Sequence, residues 1–232
     1  RLGGTQRLAR TVLRDLIVEG QPGTGDGSIR PGNPDAMSLT LVLVAQTFGL
    51  TGPHMVIDAA CASSLIALAL AAGPLQEGRI DAAIVGGASF SNWQSMALFS
   101  KAQALSASGS YPFDARADGF ISSDGYAAVI LKTLDRALAD GDRVHALISG
   151  IGLSSDGRGK SLWAPRKEGQ IEAIRRAYRN GLDASCVQYI EAHGTSTQLG
   201  DATELQSLAE VLGPSLLPER KIPIASVKGN IG

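Results

Sequence analysis

The strongest constraint on this chain is its alternation of short apolar runs with helical stretches. Val56-Ile57 and Ala82-Ala83-Ile84-Val85 are bounded by Pro, Asp and Gly, as expected of strands buried on both faces. Ala127-Ala128-Val129-Ile130-Leu131, Ala146-Leu147-Ile148, Val187-Gln188-Tyr189-Ile190 and Ile222-Pro223-Ile224-Ala225 read the same way. Between them the pattern predicts helices over Ser64 to Ala72, Asp135 to Ala139, Glu168 to Asn180 and Ala202 to Leu212. The last two stop at Gly181 and Gly213, the usual residue beyond a helix end. Strands alternating with helices predict an α/β fold with mainly parallel sheets.

With 44% apolar and 19% charged residues over 232 positions, the chain can bury a core and is not a disordered segment. Its 21 Lys+Arg against 22 Asp+Glu leave a formal net charge of -1 and no basic surplus, which argues against nucleic-acid binding. The apolar stretch Met37 to Leu50 contains Gln46 and falls short of the about 20 residues that cross a bilayer. No membrane span and no signal peptide are expected. The Gly/Pro-rich stretch Gly20 to Pro34 reads as a surface loop. Cys61 and Cys186 have apolar flanks, which suits free thiols in a reducing, cytoplasmic compartment. The chain opens on Arg1 rather than Met and stops at Asn230-Ile231-Gly232, so an internal piece of a longer protein is expected.

Three segments could carry chemistry. In Val56 to Leu70 a strand, a turn of small residues and an apolar helix follow one another, placing Cys61 at the helix start. The partial positive charge there favours a thiolate, while Ala59, Ala60, Ala62 and Ser63 leave room for an acyl chain. By itself the segment is equally compatible with an inert buried cysteine. In Tyr189 to Asp201, His193 stands at the end of a buried strand, where α/β folds place ligands. A neutral imidazole there can donate a hydrogen bond or move a proton, although for the segment alone a satisfied structural histidine is the better reading. In Ser226 to Gly232, Lys228 follows a short strand in a glycine-rich turn; a surface lysine is the default reading.

Two other patterns do not hold. Gly157-Arg158-Gly159-Lys160-Ser161 looks like the end of a phosphate-binding loop, but Ser154 stands where that motif needs glycine, and Leu162-Trp163-Ala164-Pro165 starts no helix cleanly. A loop lining a substrate entrance is the better reading. His54, His145 and His193 lack ligand-type spacing with either cysteine, so no metal is expected.

Taken together and in order, the segments resemble the β-ketoacyl synthase family of the thiolase superfamily. Asp58-Ala59-Ala60-Cys61-Ala62-Ser63-Ser64 is similar to its nucleophile motif, and Glu191 to Asp201 to its first histidine motif. Lys228-Gly229-Asn230-Ile231-Gly232 is similar to its lysine motif, completed in the family by a second histidine that would follow Gly232. Tyr111 to Phe120 and Gly52-Pro53 add further matches, and the likeness runs from about Asn33 to Gly232. Ile121-Ser122-Ser123-Asp124-Gly125 departs from the family's Gly-Glu-Gly turn. Ala62, Ser154 to Lys160 and Ala164-Pro165 resemble iterative synthases of the polyunsaturated-fatty-acid and heterocyst-glycolipid kind within the type I polyketide group.

The resemblance implies a layered αβαβα thiolase fold, incomplete here at both ends. Residues 1–143 would belong to the nucleophile half and 144–232 to the histidine/lysine half. It implies an acyltransferase performing decarboxylative Claisen condensation, with Cys61, His193 and Lys228 catalytic and the piece alone inactive. A decarboxylase-only relative of the chain-length-factor kind and a non-catalytic carrier-docking module are the competing readings; the intact Cys61 weighs against the first. No metal or organic cofactor is implied; the substrates ride on the phosphopantetheine of an acyl carrier protein. A homodimer, and other domains of a multidomain synthase, are the further partners implied.

Overall fold

The computed structural model describes residues 34–159, 164–216 and 221–232. The expected loop Gly20 to Pro34 lies outside these residues except for its last position, and so does all of Lys160 to Trp163. The chain divides into two compact units, one up to Val85 and one from Gly86 to Gly232.

In the first unit, α1 spans Pro34–Phe48. It stops because Gly49 takes the left-handed conformation (φ 63°), which lets the Leu50 N–H return to the Ala45 carbonyl at 2.8 Å. Residues 51–59 lead without regular secondary structure into a 3-10 turn, Ala60–Ala62, and then α2, Ser63–Gln76. α2 carries no charged residue and ends through Gly78 (φ 67°), after which the Arg79 N–H reaches the Pro74 carbonyl at 2.9 Å. Ala45 and Leu75 are buried here. Among the described residues no helix is long and apolar enough to cross a membrane.

The second unit begins within β1 (Ala83–Ser89), which forms a two-stranded sheet with β2 (Gly125–Leu131). Between them lies α3, Trp93–Lys101, started by the Asn92 side chain accepting from the Ser95 N–H at 2.9 Å. The long connection to β2 is pinned by a parallel bridge between Leu105 and Phe120 and by an edge-to-face contact of Phe99 with Phe120 at 5.1 Å. Then follow α4 (Leu134–Ala139), α5 (Lys167–Ala177), β3 (Ile190–Glu191), α6 (Gln198–Leu212), β4 (Ile224–Ala225) and α7 (Lys228–Ile231). β3 and β4 are parallel, with Ile190 opposite Ile224 and Glu191 opposite Ala225. α5 packs on α6, burying Ile171 and Leu212, and Lys167 pairs with Glu210 across them at 2.8 Å.

The alternation of strands and helices and the parallel β3/β4 pair are those expected. Several elements differ. Val56-Ile57 and Ala146-Leu147-Ile148 are not strands, because among the described residues no neighbouring chain supplies a ladder for them. The runs at 187–190 and 222–225 contribute only two ladder residues each, Pro223 having no N–H to give. Apolar runs were expected to be covered on both faces, yet β2 is exposed along its length, with Tyr126 84% and Ile130 72% accessible. α1 and α3 were not anticipated; in α1 the unbroken run Leu41 to Ala45 gives no amphipathic stripe to read.

Candidate active site

Cys61 sits in the first unit, in the middle of the turn that opens α2, with its thiol free and exposed. The turn is unusual because Ala60, just before the cysteine, has φ +50°, a conformation that costs a non-glycine residue roughly 1–2 kcal/mol. Two side chains hold it there. Asp58 Oδ1 accepts from the Ala60 N–H (3.0 Å), and Ser63 Oγ accepts from the Ala59 N–H (2.9 Å) while donating to the Ala60 carbonyl (2.6 Å). The helix that follows gives the turn a positive end at Cys61. The other free thiol, Cys186, is exposed as well, but its Sγ contacts Asp183 Oδ2 at 3.7 Å.

His193 lies in the second unit, two residues beyond the end of β3, and its backbone is fixed on both sides. The His193 and Gly194 N–H groups donate to the two oxygens of Glu204, at 2.7 and 2.9 Å, and Ser226 Oγ donates to the His193 carbonyl at 3.2 Å. Gly194 has φ +44°, and a Cβ there would stand 2.7 Å from Ser226 Cβ and 3.1 Å from the Phe113 ring, so only glycine fits. Burial pushes the imidazole below the ordinary histidine pKa and the positive charge of Lys228 adds to this; Glu204 and Asp201 act weakly the other way. The neutral ring is therefore favoured although the residue is exposed overall.

Lys228 opens α7 three residues after the end of β4 and is half-buried. The N–H of Val227 before it donates to Glu191 Oε1 at 2.7 Å, and Gly229 after it packs against Pro112. The parallel β3/β4 pair thus brings Lys228 to the same end of the sheet as His193, close enough for its charge to act on the imidazole.

The Tyr111 to Phe120 segment folds over the loop after His193. The Tyr111 N–H donates to Ser196 Oγ (2.8 Å), the Phe113 N–H to Asp201 Oδ2 (2.7 Å) and the Gly119 N–H to the Ser196 carbonyl (2.7 Å). Ser196 is fully buried with φ +59°, and Asp201 is 4% accessible in the first turn of α6. In the departing turn, Asp124 accepts from the Ser91 N–H and Ser122 Oγ meets Ser91 Oγ at 3.0 Å, so an acidic residue still braces the connection after β1. A cavity of about 250 Å³ beside Phe113, Gln198, Asp201 and Leu205 has neither His193 nor Lys228 in its wall. Glu204, Glu191 and Ser226 had no role in the sequence reading; the one cue, an acidic residue eleven positions after His193, means nothing until the helix turns it back.

Residues 17–137 match the family described as "Beta-ketoacyl synthase, N-terminal domain", and residues 145–232 its C-terminal domain. A highly reducing polyketide synthase of Didymella fabae is 41% identical over 192 residues, covering 82% of this chain and 10% of that protein. The 5-methyl-1-naphthoate synthase of Streptomyces sahachiroi is 41% identical over 184 residues, 78% of this chain and 10% of its own length. Among solved structures, the ketosynthase from module 6 of the bacillaene synthase of Bacillus subtilis 168 superposes with a TM-score of 0.81 at 34% identity, over 84% of this chain and 35% of that one. The fold is that of the thiolase-like ketosynthases. The chain belongs to the β-ketoacyl synthase family, and it spans about a tenth of the curated relatives and about a third of the ketosynthase structure.

Proposed function

We propose that this chain contributes the nucleophile and the first histidine and lysine of a β-ketoacyl-[acyl-carrier-protein] synthase in polyketide or fatty-acid assembly. Residues 1–143 form part of the nucleophile half and 144–232 the start of the histidine/lysine half. The Cys61 thiolate attacks the thioester carbonyl of an acyl chain on the phosphopantetheine of an acyl carrier protein. An S–C bond forms, and the carrier's thiolate leaves. A malonyl-type extender on a carrier then loses CO2, and the electron pair of the broken C–C bond passes onto its thioester oxygen as an enolate. His193 donates to that oxygen, and Lys228 orients the histidine and adds positive potential. The carbanion attacks the acyl-Cys61 carbonyl, forming the new C–C bond and releasing the Cys61 thiolate. The protein acts as a homodimer in the cytoplasm, within a multidomain synthase.

The single observation carrying this reading is that His193 has its backbone clamped by Glu204 and Ser226 and its ring held neutral beside Lys228. A neutral imidazole keeps one N–H that it can donate to a developing oxyanion. The strained, doubly braced turn at Cys61 supports the nucleophile role, since such strain clusters where geometry serves chemistry.

The test follows acyl-enzyme formation by intact mass and CO2 release from malonyl-carrier in parallel, in the purified protein that carries these residues. Cys61→Ala abolishes loading. His193→Ala loads normally but decarboxylates about 10²–10³ more slowly, the usual cost of one positioned donor to such a charge. A His193→Ala protein that fails to load yet decarboxylates normally would overturn the assignment.

A further inference from the structure

Glu191 stands at the last ladder position of β3, opposite Ala225, and two residues before His193. The ladder closes with the Ala192 N–H donating to the Ala225 carbonyl at 2.8 Å, after which the two chains part. Val227 lies two residues past the end of β4, where its N–H points outside the ladder. The Glu191 carboxylate receives it instead, through Oε1 at 2.7 Å, and so fixes the point at which the chain turns into Lys228. Its other oxygen accepts the hydroxyl of Tyr189, two residues back and just ahead of the strand, at 2.6 Å. The tyrosine hydroxyl and the Val227 N–H thus occupy the two oxygens of one carboxylate. These bonds, together with the charge of Lys228, hold the Glu191 carboxyl below the ordinary glutamate pKa, so both acceptor oxygens persist at neutral pH.

Glu191 and Tyr189 are both exposed, and hydrogen bonds of exposed groups add little to folding stability. Their arrangement instead matters for direction: it joins the strand that carries His193 to the turn that carries Lys228 by a side chain, where the backbone no longer can. From the juxtaposition of these four residues we infer that Glu191, braced by Tyr189, is a positioning residue that sets where Lys228 stands relative to His193, without itself touching substrate. The inference rests on the roles given above to His193 and Lys228.

Loading of Cys61 and decarboxylation of malonyl-carrier, measured side by side in the full protein, separate this role from a general structural one. Glu191→Ala slows decarboxylation by about tenfold, the scale of one hydrogen bond to a charged group, and leaves Cys61 loading unchanged. Tyr189→Phe acts in the same direction with a smaller effect. Glu191→Gln recovers most of the rate, since its amide oxygen still accepts from the Val227 N–H. Because Glu191 works through Lys228, the double variant Glu191→Ala/Lys228→Ala is no slower than Lys228→Ala alone. Additive losses, parallel losses of loading and decarboxylation, or failure of Glu191→Gln to recover would each overturn the inference. A normal rate for Glu191→Ala beside a slow Lys228→Ala removes the positioning role only, whereas a normal rate for Lys228→Ala removes the lysine's role and the inference with it.

Discussion

Removing the Glu204 carboxylate is the most direct way to ask whether the histidine loop is held from below. Glu204 is half-buried on α6 and receives two adjacent N–H groups, those of His193 at 2.7 Å and Gly194 at 2.9 Å. A hydrogen bond to a charged group contributes about 1.5–3 kcal/mol, and partial exposure favours the low end, so Glu204→Ala is expected to cost about 3 kcal/mol. For a domain of roughly 150–250 residues that corresponds to a fall of about 6–12 °C in the midpoint of the domain's thermal transition. Glu204→Gln keeps one acceptor and turns an amide N–H2 toward the other donor, so it falls between. The charge of Glu204 opposes the lowering of the His193 pKa; its loss leaves the ring neutral over a wider pH range, and any loss of rate reports position rather than protonation. Differential scanning calorimetry with malonyl-carrier decarboxylation on the same samples is the assay. A Glu204→Ala protein with unchanged midpoint and unchanged rate would refute the clamp.

Gly119 has φ +139°, and a Cβ there would stand 2.6 Å from both the Ala104 carbonyl oxygen and the Leu105 carbonyl carbon; Gly119→Ala is expected to cost about 3 kcal/mol, read as a lower urea midpoint. The lowered pKa of His193 makes the unfolded chain bind more protons than the folded one below the ordinary value of about 6.5, so its contribution to stability declines as pH falls through that value toward the folded pKa. An NMR titration of His193 therefore gives a midpoint below the ordinary one, and Lys228→Ala moves it upward while burial keeps it from returning fully; an unmoved midpoint would show that Lys228 does not act on the ring.

What the sequence made legible is what neighbours in the chain determine. His193 at the mouth of a strand, Cys61 in a turn before an apolar helix and Lys228 after a short strand are local patterns, and each has its counterpart in β3, α2 and β4. A strand, by contrast, exists only with a partner: Val56-Ile57 and Ala146 to Ile148 are as apolar as Ile224-Ala225, yet only the last has a ladder among the described residues. The supports of the site stayed hidden for the same reason. Glu204 reaches back 11 positions to His193, Glu191 forward 36 to Val227 and Ser196 across 85 to Tyr111, and nothing in the composition of those segments ranks these partners above others.

The loop after His193 shows why segments so far apart must be read as one site. Ser196 is wholly buried with a left-handed backbone, a combination that local forces disfavour for serine. It persists because two of its polar atoms are taken from outside: Oγ by the Tyr111 N–H and the carbonyl by the Gly119 N–H, near the two ends of one ten-residue segment. Between those ends the Phe113 N–H meets Asp201, and the Phe113 ring and Pro112 fill the space a Cβ would take at Gly194 and at Gly229 beside Lys228. Each contact alone is worth about one hydrogen bond or one side-chain packing contact, but all of them depend on the same placement of the 111–120 segment. Histidine loop and lysine turn are therefore positioned by a third segment that contains neither, and a change at Tyr111 to Phe120 acts on His193 and Lys228 together.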